Sequence, residues 1–157
     1  MDFELFLGFN VSHTKLAEVI EETMVEILKQ KASLHINEDE IMLGTECFSL
    51  AIEIEDISDI NFVRNHYDLE VSICIRVQLY GKTSKKGLEA LFIIMGNLMK
   101  QFEGNLLLLE NGSAQLLRKE NGKLFVNNDL DQYQIKYFNA DIISLLDHSY
   151  TEKKLKK

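Results

Sequence analysis

The stretch LLLLENGSAQLLRKENGKLFVN, residues 106–127, decides the fold class of this chain. It contains two Asn-Gly pairs, at residues 111–112 and 121–122, and each pair lies between apolar runs. A two-residue type I′ hairpin turn needs positive φ at both central positions, which Asn followed by Gly tolerates best. The stretch therefore predicts a three-stranded antiparallel meander, with strands at Asn105–Glu110, Ser113–Glu120 and Lys123–Asn127.

Upstream segments show the same two-residue period. Apolar and polar residues alternate strictly through Leu69–Tyr80, and they alternate again from Phe48 to Glu55. Strands buried on both faces of a parallel sheet read as continuous apolar runs, so strict alternation predicts half-buried antiparallel strands. Shorter strands are expected at Phe3–Phe9, Ser33–Asn37 and Glu40–Glu46.

Two segments have helical periodicity instead. Apolar residues recur at steps of three and four through residues 13–31 and through Leu88–Phe102, where Gly104 follows as a helix stop. A short helix is expected from Ala140 to His148, capped by Asn139. We therefore predict an α+β fold: a mainly antiparallel sheet of about six to eight strands, two long helices packed on one face, and a short C-terminal helix.

The chain offers no internal boundary. Its 157 residues contain no proline and no Gly/Ser-rich linker, and this length suits a single hydrophobic core. We predict one domain over residues 1–150, followed by a basic, frayed tail at residues 151–157.

Charge is unevenly distributed along the chain. Residues 1–60 hold 14 acidic and 3 basic residues, whereas residues 61–157 hold 11 acidic and 14 basic residues. An acidic region repels phosphate backbones and attracts basic protein surfaces. We therefore expect a protein partner and no nucleic acid.

The sequence also predicts a location. No apolar stretch approaches the roughly 20 residues that span a bilayer, and the first residues carry acid where a secretory leader carries base. We expect a cytoplasmic protein with no membrane partner, and with Cys47 and Cys74 reduced.

Four features of the sequence bear on catalysis and cofactor binding. The loop Gly81–Gly87 superficially resembles a phosphate-binding loop, but Leu88 and Glu89 stand where Lys and Ser or Thr are needed. The four histidines show no metal-ligand spacing. Cys47 and Cys74 could become neighbours across two strands, but no base or orienting group accompanies them. We expect no enzyme activity, no metal and no cofactor.

An aromatic and basic group, Tyr133, Tyr137 and Phe138 near Lys136, is the fourth feature. Such a group can form a stacking platform for single-stranded nucleic acid. Here it is small and follows Asp129 and Asp131, so we expect these rings to pack in the core or at an edge.

Two acidic clusters are the candidate functional residues. One lies at a turn after the second strand, and the other lies at the end of the fourth strand and in the following loop. General acid/base chemistry, calcium or magnesium binding, contact with a basic protein, and a merely solvated face remain open for them. The clusters consist of Glu38, Asp39, Glu40, Glu53, Glu55, Asp56 and Asp59.

The segment 88–126 resembles the Sit-type immunity proteins of bacterial polymorphic-toxin systems. The resemblance rests on the apolar helix Leu88–Phe102, the Gly104-Asn105 stop, the run of leucines 106–109, and the two Asn-Gly turns. It implies a cytoplasmic protein that binds and neutralises a cognate toxin, and it carries no catalytic residues onto this chain.

We therefore expect a non-catalytic immunity protein whose acidic clusters meet a basic toxin face. The main alternative is a small ligand-binding or regulatory module, oligomeric through the wetter sheet face or an exposed edge. A hydrolase using Glu53 and Asp56 is a distant third.

Overall fold

The computed structural model describes residues 1–112 and 114–155 as a sheet with helices on both faces. Its helices are α1 (His13–Leu28), α2 (Ser58–His66), α3 (Ser84–Gln101), α4 (Gln132–Tyr137) and α5 (Ala140–Ser144), and a 3₁₀ turn (Gly81–Thr83) precedes α3. Its strands are β1 (Asp2–Leu7), β2 (Ser33–Ile36), β3 (Glu40–Gly44), β4 (Phe48–Glu53), β5 (Ile73–Leu79), β6 (Leu106–Glu110), β7 (Ala114–Glu120), β8 (Lys123–Asn127) and β9 (Thr151–Lys153). The predicted α+β class is confirmed.

All nine described strands belong to one sheet, in the order β2-β3-β4-β5-β1-β6-β7-β8-β9. Every neighbouring pair is antiparallel except β8 and β9, which are parallel. The first strand in sequence is thus the central strand; β2 to β5 fill one side from the edge inward, and β6 to β9 fill the other side from the centre outward. The predicted number of six to eight strands is too low.

The predicted meander is present in β6, β7 and β8. Asn111 and Gly112 have φ values of 49° and 76°, and Asn121 and Gly122 have φ values of 52° and 78°. Positive φ at both central residues is the signature of the expected turn type. The first residue of the predicted strand at 113–120, Ser113, lies outside the described residues.

The main core lies between one sheet face and α1, α3 and α5. The Ser12 hydroxyl accepts a hydrogen bond from the Lys15 amide at 3.1 Å and starts α1, and Lys29, at φ 55°, ends it. The apolar stripes of α1 and α3 and one phase of the strands meet here, so Leu16, Ile20 and Leu91 are fully buried. Burial of these stripes, more than helix propensity, holds the helices in place.

A second, smaller core covers the centre of the opposite face. Helix α2 and the segment after it pack on this face of β1, β5 and β6, and the cluster comprises Phe6, Ile60, Val63, Tyr67, Leu69, Val71, Cys74, Leu107 and Leu109. The four consecutive leucines at 106–109 follow from this arrangement, because a strand covered on both faces needs apolar side chains in both phases.

Helix α2 was not predicted, and it explains why the predicted strand Leu69–Tyr80 is too long. Leu69 and Val71 belong to the second core, while Ile73 and Ile75 belong to the main core. The same alternating phase therefore serves opposite faces, and only Ile73–Leu79 is a strand.

The C-terminal region differs from expectation in three ways. Helix α4 was not predicted, and α5 ends at Ser144 instead of His148. The tail expected to fray instead contributes β9, whose Thr151–Lys153 pair in parallel with Phe125–Asn127, and Leu155 is 5% exposed. This pairing and burial tie the segment down; Lys156 and Lys157 lie outside the described residues.

A pair of leucine substitutions tests the two-sided core. Leu107 and Leu108 are both fully buried, but Leu107 faces the second core and Leu108 the main one. Each Leu→Ala change should lower the free energy of unfolding by about 2–5 kcal/mol, because each leaves a cavity. Urea denaturation measures both; a loss below about 0.5 kcal/mol for Leu107→Ala, typical of a surface site, would contradict the second core.

Candidate functional site

The turn between β2 and β3 carries the first acidic cluster. The side-chain oxygen of Asn37 accepts hydrogen bonds from the Asp39 and Glu40 amides, at 2.8 and 3.0 Å. Asparagine commonly closes a turn in this way. Glu38 and Asp39 are exposed at its tip, as the sequence predicts for solvated acids.

This turn is tied to the end of β4, where the second cluster starts. The Asp39 carbonyl accepts hydrogen bonds from the amides of Ile54 and Glu55, at 2.8 and 3.5 Å. Glu40 lies directly opposite Glu53 in the β3–β4 register. Two clusters that are separated in sequence therefore share one end of the sheet.

Arg76 on β5 joins this end to α2. Its Nε donates to Glu53 Oε1 at 2.7 Å, and its Nη2 donates to Asp59 Oδ2 at 2.6 Å. Partial burial lowers the pKa of Arg76, but the hydrogen bond to Glu53 and the negative charges of Asp59 and Glu53 outweigh it and raise the pKa overall. The guanidinium is a permanent cation that fixes both carboxylates.

The loop acids sit at the start of α2. Asp56 Oδ1 accepts hydrogen bonds from the Ser58 amide and hydroxyl, at 2.9 and 2.7 Å, and these bonds lower the pKa of Asp56. Asp59 was expected in a loop but lies in the first turn of α2, where a negative charge favours the helix dipole. Ile60, Val63 and Tyr67 line one face of α2 at helical spacing, but three residues are too short a pattern to predict a helix from sequence.

All seven acids predicted as partner-binding residues are thus brought together, and we call this surface the acidic corner: Glu38, Asp39, Glu40, Glu53, Glu55, Asp56 and Asp59. Within the described residues, the ion pairs of the corner are those of Arg76 with Glu53 and Asp59. Residues 32–63 hold eight acids and no lysine or arginine. The corner therefore presents a negative surface with little internal neutralisation.

Glu4 extends the negative surface toward the centre of the sheet, and sequence reasoning missed it. It lies opposite Arg76 in the β1–β5 register, and its carboxylate accepts a hydrogen bond from the Gly112 amide at 2.8 Å. Partial burial raises the pKa of Glu4, against the lowering effects of that hydrogen bond and of Arg76. Its position in the polar phase of β1 is visible in sequence, but its neighbours depend on strand order.

The described residues offer little for nucleophilic or metal chemistry. Across residues 1–112 and 114–155, no group of three or more His, Cys, Asp or Glu side chains could hold a metal ion. Cys47 lies in the main core and Cys74 in the second core, on opposite sheet faces, so they are not neighbours. Burial raises the pKa of the Cys74 thiol to about 12, which leaves it protonated and unreactive at neutral pH.

A second feature is a cavity of about 570 Å³ beside the start of α3. The loop resembling a phosphate cradle is in fact the 3₁₀ turn and the first turn of α3, and it contributes Ser84 and Lys85 to the cavity. The aromatic and basic group contributes Lys136 and Tyr137. The Tyr137 hydroxyl is buried and has no hydrogen-bond partner among the described residues.

The raised pKa of Glu4 predicts a specific pH dependence. Folding raises this pKa above its ordinary value of 4.5, so the stability that Glu4 contributes is complete below pH 4.5 and is lost as the pH rises through the folded value. Glu4→Gln keeps an acceptor for the Gly112 amide but cannot ionise. It should raise the free energy of unfolding at pH 7 by less than about 1 kcal/mol, because a half-exposed carboxyl is screened.

Urea denaturation from pH 3 to pH 8 measures this difference, which should shrink toward pH 4. Glu22→Gln, which removes an exposed acid from α1, controls for the loss of one negative charge. A Glu4→Gln benefit that grows on acidification would contradict the assignment.

None of the described helices is long and apolar enough to cross a membrane. Comparison of the chain with protein-family models, with curated proteins and with solved structures finds no match.

Proposed function

We propose that this chain is a non-catalytic binding protein, an immunity protein that neutralises a cognate bacterial toxin through direct contact of the acidic corner with a basic toxin face. The observation that carries the proposal is the convergence of seven acids from two separate segments on one end of the sheet. The resemblance of residues 88–126 to Sit-type immunity proteins supplies the biological context. We also propose a cytoplasmic location, because the resemblance to Sit-type immunity proteins implies one.

Charge and apolar exposure support binding at this surface. Long-range attraction between opposite charges raises the rate of encounter, while buried apolar contacts supply affinity. Exposed apolar side chains adjoin the acidic corner: Ile57 is 56% exposed beside Asp56, and Met42 is 37% exposed two residues after Glu40. A mixed acidic and apolar surface suits a protein partner better than a small molecule.

The positions of the carboxylates favour binding over catalysis. Glu53 and Asp59, which are the less exposed acids of the second cluster, are both held by Arg76. Because the Arg76 guanidinium engages one oxygen of each carboxylate, both side chains are held in place and are poorly oriented to meet a substrate. Glu38 and Glu55 point to solvent-exposed positions, where they can meet a basic surface.

The cavity beside α3 favours a second candidate function, the binding of a small molecule. Its size falls in the range of ligand pockets, and Leu88, Ile142 and Leu145 give it an apolar wall. Lys85 and Lys136 can pair with an acidic group of a ligand, while Glu89 and Asp141 line the same cavity and limit how acidic that ligand can be.

Paired charge reversals test the toxin-binding proposal. The candidate toxin is the product of the gene adjacent to the one that encodes this chain. Glu38→Lys with Glu55→Lys should weaken binding to that product by tenfold or more, on the order of the effect expected for lost charge complementarity. The matched control, Glu22→Lys with Glu26→Lys, makes the same change of net charge on exposed positions of α1 and should leave binding nearly unchanged. Titration by calorimetry at two salt concentrations measures both variants.

An equal loss of affinity in the two variants would show that binding depends on the net charge of the protein. It would exclude the acidic corner as the contact surface. Failure of the unmodified protein to bind or to relieve toxicity on co-expression would remove the proposed function.

Native mass spectrometry tests the second candidate. Purified protein should retain a small acidic molecule, and Lys85→Ala together with Lys136→Ala should release it without loss of fold by circular dichroism. A measured mass equal to that of the chain alone would instead show an empty cavity. Tyr137→Phe should then raise the free energy of unfolding by about 1 kcal/mol, because it removes a buried hydroxyl that has no hydrogen-bond partner among the described residues.

A further inference from the structure

Strand β2 is one of the two edges of the sheet, and it is open. Among the strands of the described residues it pairs with β3 alone, and all four of its residues, Ser33–Ile36, are exposed. An open edge leaves backbone amides and carbonyls available to another strand. This edge is therefore a potential docking surface.

The hairpin fixes which backbone groups are available. The Asn37 amide donates to the Glu40 carbonyl at 3.1 Å, so Asn37 and Glu40 form a hydrogen-bonded pair. Hydrogen-bonded pairs recur at every second residue of an antiparallel ladder. His35 with Met42 and Ser33 with Gly44 are therefore hydrogen-bonded pairs as well. The amides and carbonyls of Leu34 and Ile36 consequently point away from β3, toward the open edge.

The side chains of these two residues are apolar and exposed. Leu34 is 44% and Ile36 is 64% exposed, and both lie in register with buried residues of β3. They extend the apolar phase of the sheet beyond the part that is covered. A strand added here would therefore gain apolar contacts as well as hydrogen bonds.

The opposite edge, β9, shows how an edge is normally protected. It has three residues, two of which are charged, Glu152 and Lys153. Short length and charged side chains discourage pairing at an edge. Strand β2 is only one residue longer, but it contains neither proline nor a formally charged residue, so it lacks the protection by charge.

Charges on either side of β2 identify its partner. Lys29 and Lys31 precede the strand, while Glu38, Asp39 and Glu40 follow it. An antiparallel copy of the same segment would place the basic end of each strand beside the acidic end of the other. A two-fold symmetric interface requires such self-complementarity.

We infer that β2 is a dimer interface, at which a second copy of this chain adds its own β2 in antiparallel orientation and joins the two sheets into one. Setting Leu34 of each copy opposite Ile36 of the other is the register in which both outward-pointing residues of each strand find a partner within the other strand. Lys31, two residues before the strand, then lies near the acidic turn of the second copy, at Glu38 and Asp39. His35 then faces its own copy on the two-fold axis.

A second copy fits this edge better than a strand from a basic partner. A basic strand would satisfy Glu38 and Asp39 but would repel Lys29 and Lys31, whereas a second copy satisfies both ends. The inference also goes beyond the proposed function, because dimerisation is measured on the protein alone. Glu53, Glu55 and Asp56, on β4 and the loop after it, remain off the edge and free to meet another protein.

The first test is a charge-exchange cycle read by multi-angle light scattering and sedimentation across a wide range of concentration. The unmodified protein should show a dimer that dissociates on dilution. Lys31→Glu and Asp39→Lys should each weaken the dimer roughly tenfold, because each creates two like-charge contacts across the strands. The double variant should recover most of the affinity, since each copy again presents opposite charges.

The second test places a charge on the edge itself. Ile36→Lys should abolish the dimer, whereas Thr151→Lys, which adds the same charge on the other edge strand, should leave it intact. Both positions are exposed, so both variants should fold. Amide hydrogen exchange supplies an independent readout, since the Leu34 and Ile36 amides should become protected only as the dimer forms.

A protein that stays monomeric at every concentration overturns the inference and leaves the edge to another partner. A dimer that tolerates Ile36→Lys, or single charge reversals whose effects simply add in the double variant, overturns it equally.

Discussion

The need to cover both faces of the central strands governs this structure. Strand β1 is paired on both sides, by β5 and β6, and its side chains are apolar in both phases at Leu5 and Phe6. Neither face can be left to water without exposing a large apolar area. Helices α1 and α3 cover one face, and α2 with the segment that follows it covers the other.

The covering of the second face also creates the candidate site. Placing Ile60 and Val63 against the sheet brings Asp59, in the first turn of the same helix, to within 2.6 Å of Arg76. The half of the sheet from β2 to β4 lies beyond the second core, so the polar phase of its strands can carry Glu40 and Glu53. The acidic corner is therefore a direct result of where the second core stops. On the other face the main core reaches Ile41 and Leu43 of β3 but no residue of β2, which leaves this outermost strand exposed.

Local chemistry predicted part of this arrangement. The Asn-Gly turns, the three meander strands and the position of α3 are visible in sequence because each depends on a few neighbouring residues. The acidic residues were also identifiable, since charge density needs no knowledge of contacts. In contrast, α2 has only two buried residues within its bounds, and β9 has a charged sequence that becomes a strand only through pairing with β8. Both depend on contacts with residues distant in the chain.

Strand order limited what sequence could say about the site. The pairing of Glu4 with Arg76 requires β1 and β5 to be neighbours, and no local pattern reveals that. The alternation of Leu69–Tyr80 predicts a strand with one buried face throughout, because a change of face between Val71 and Ile73 leaves the period of the pattern unchanged. The change of face appears only in the backbone. Asp68, at φ 50°, precedes the segment, and the Ser72 amide, between Val71 and Ile73, donates to the Leu7 carbonyl at 2.9 Å.

The central functional claim is that a basic protein binds the acidic corner. Hydrogen–deuterium exchange of the complex with the product of the adjacent gene tests it most directly, because it reports every contacted segment without substitution. Slower exchange should be confined to residues 37–41 and 53–60, where the two acidic clusters lie. Protection that spares both segments and appears instead on α1, or around the cavity beside α3, would contradict the claim.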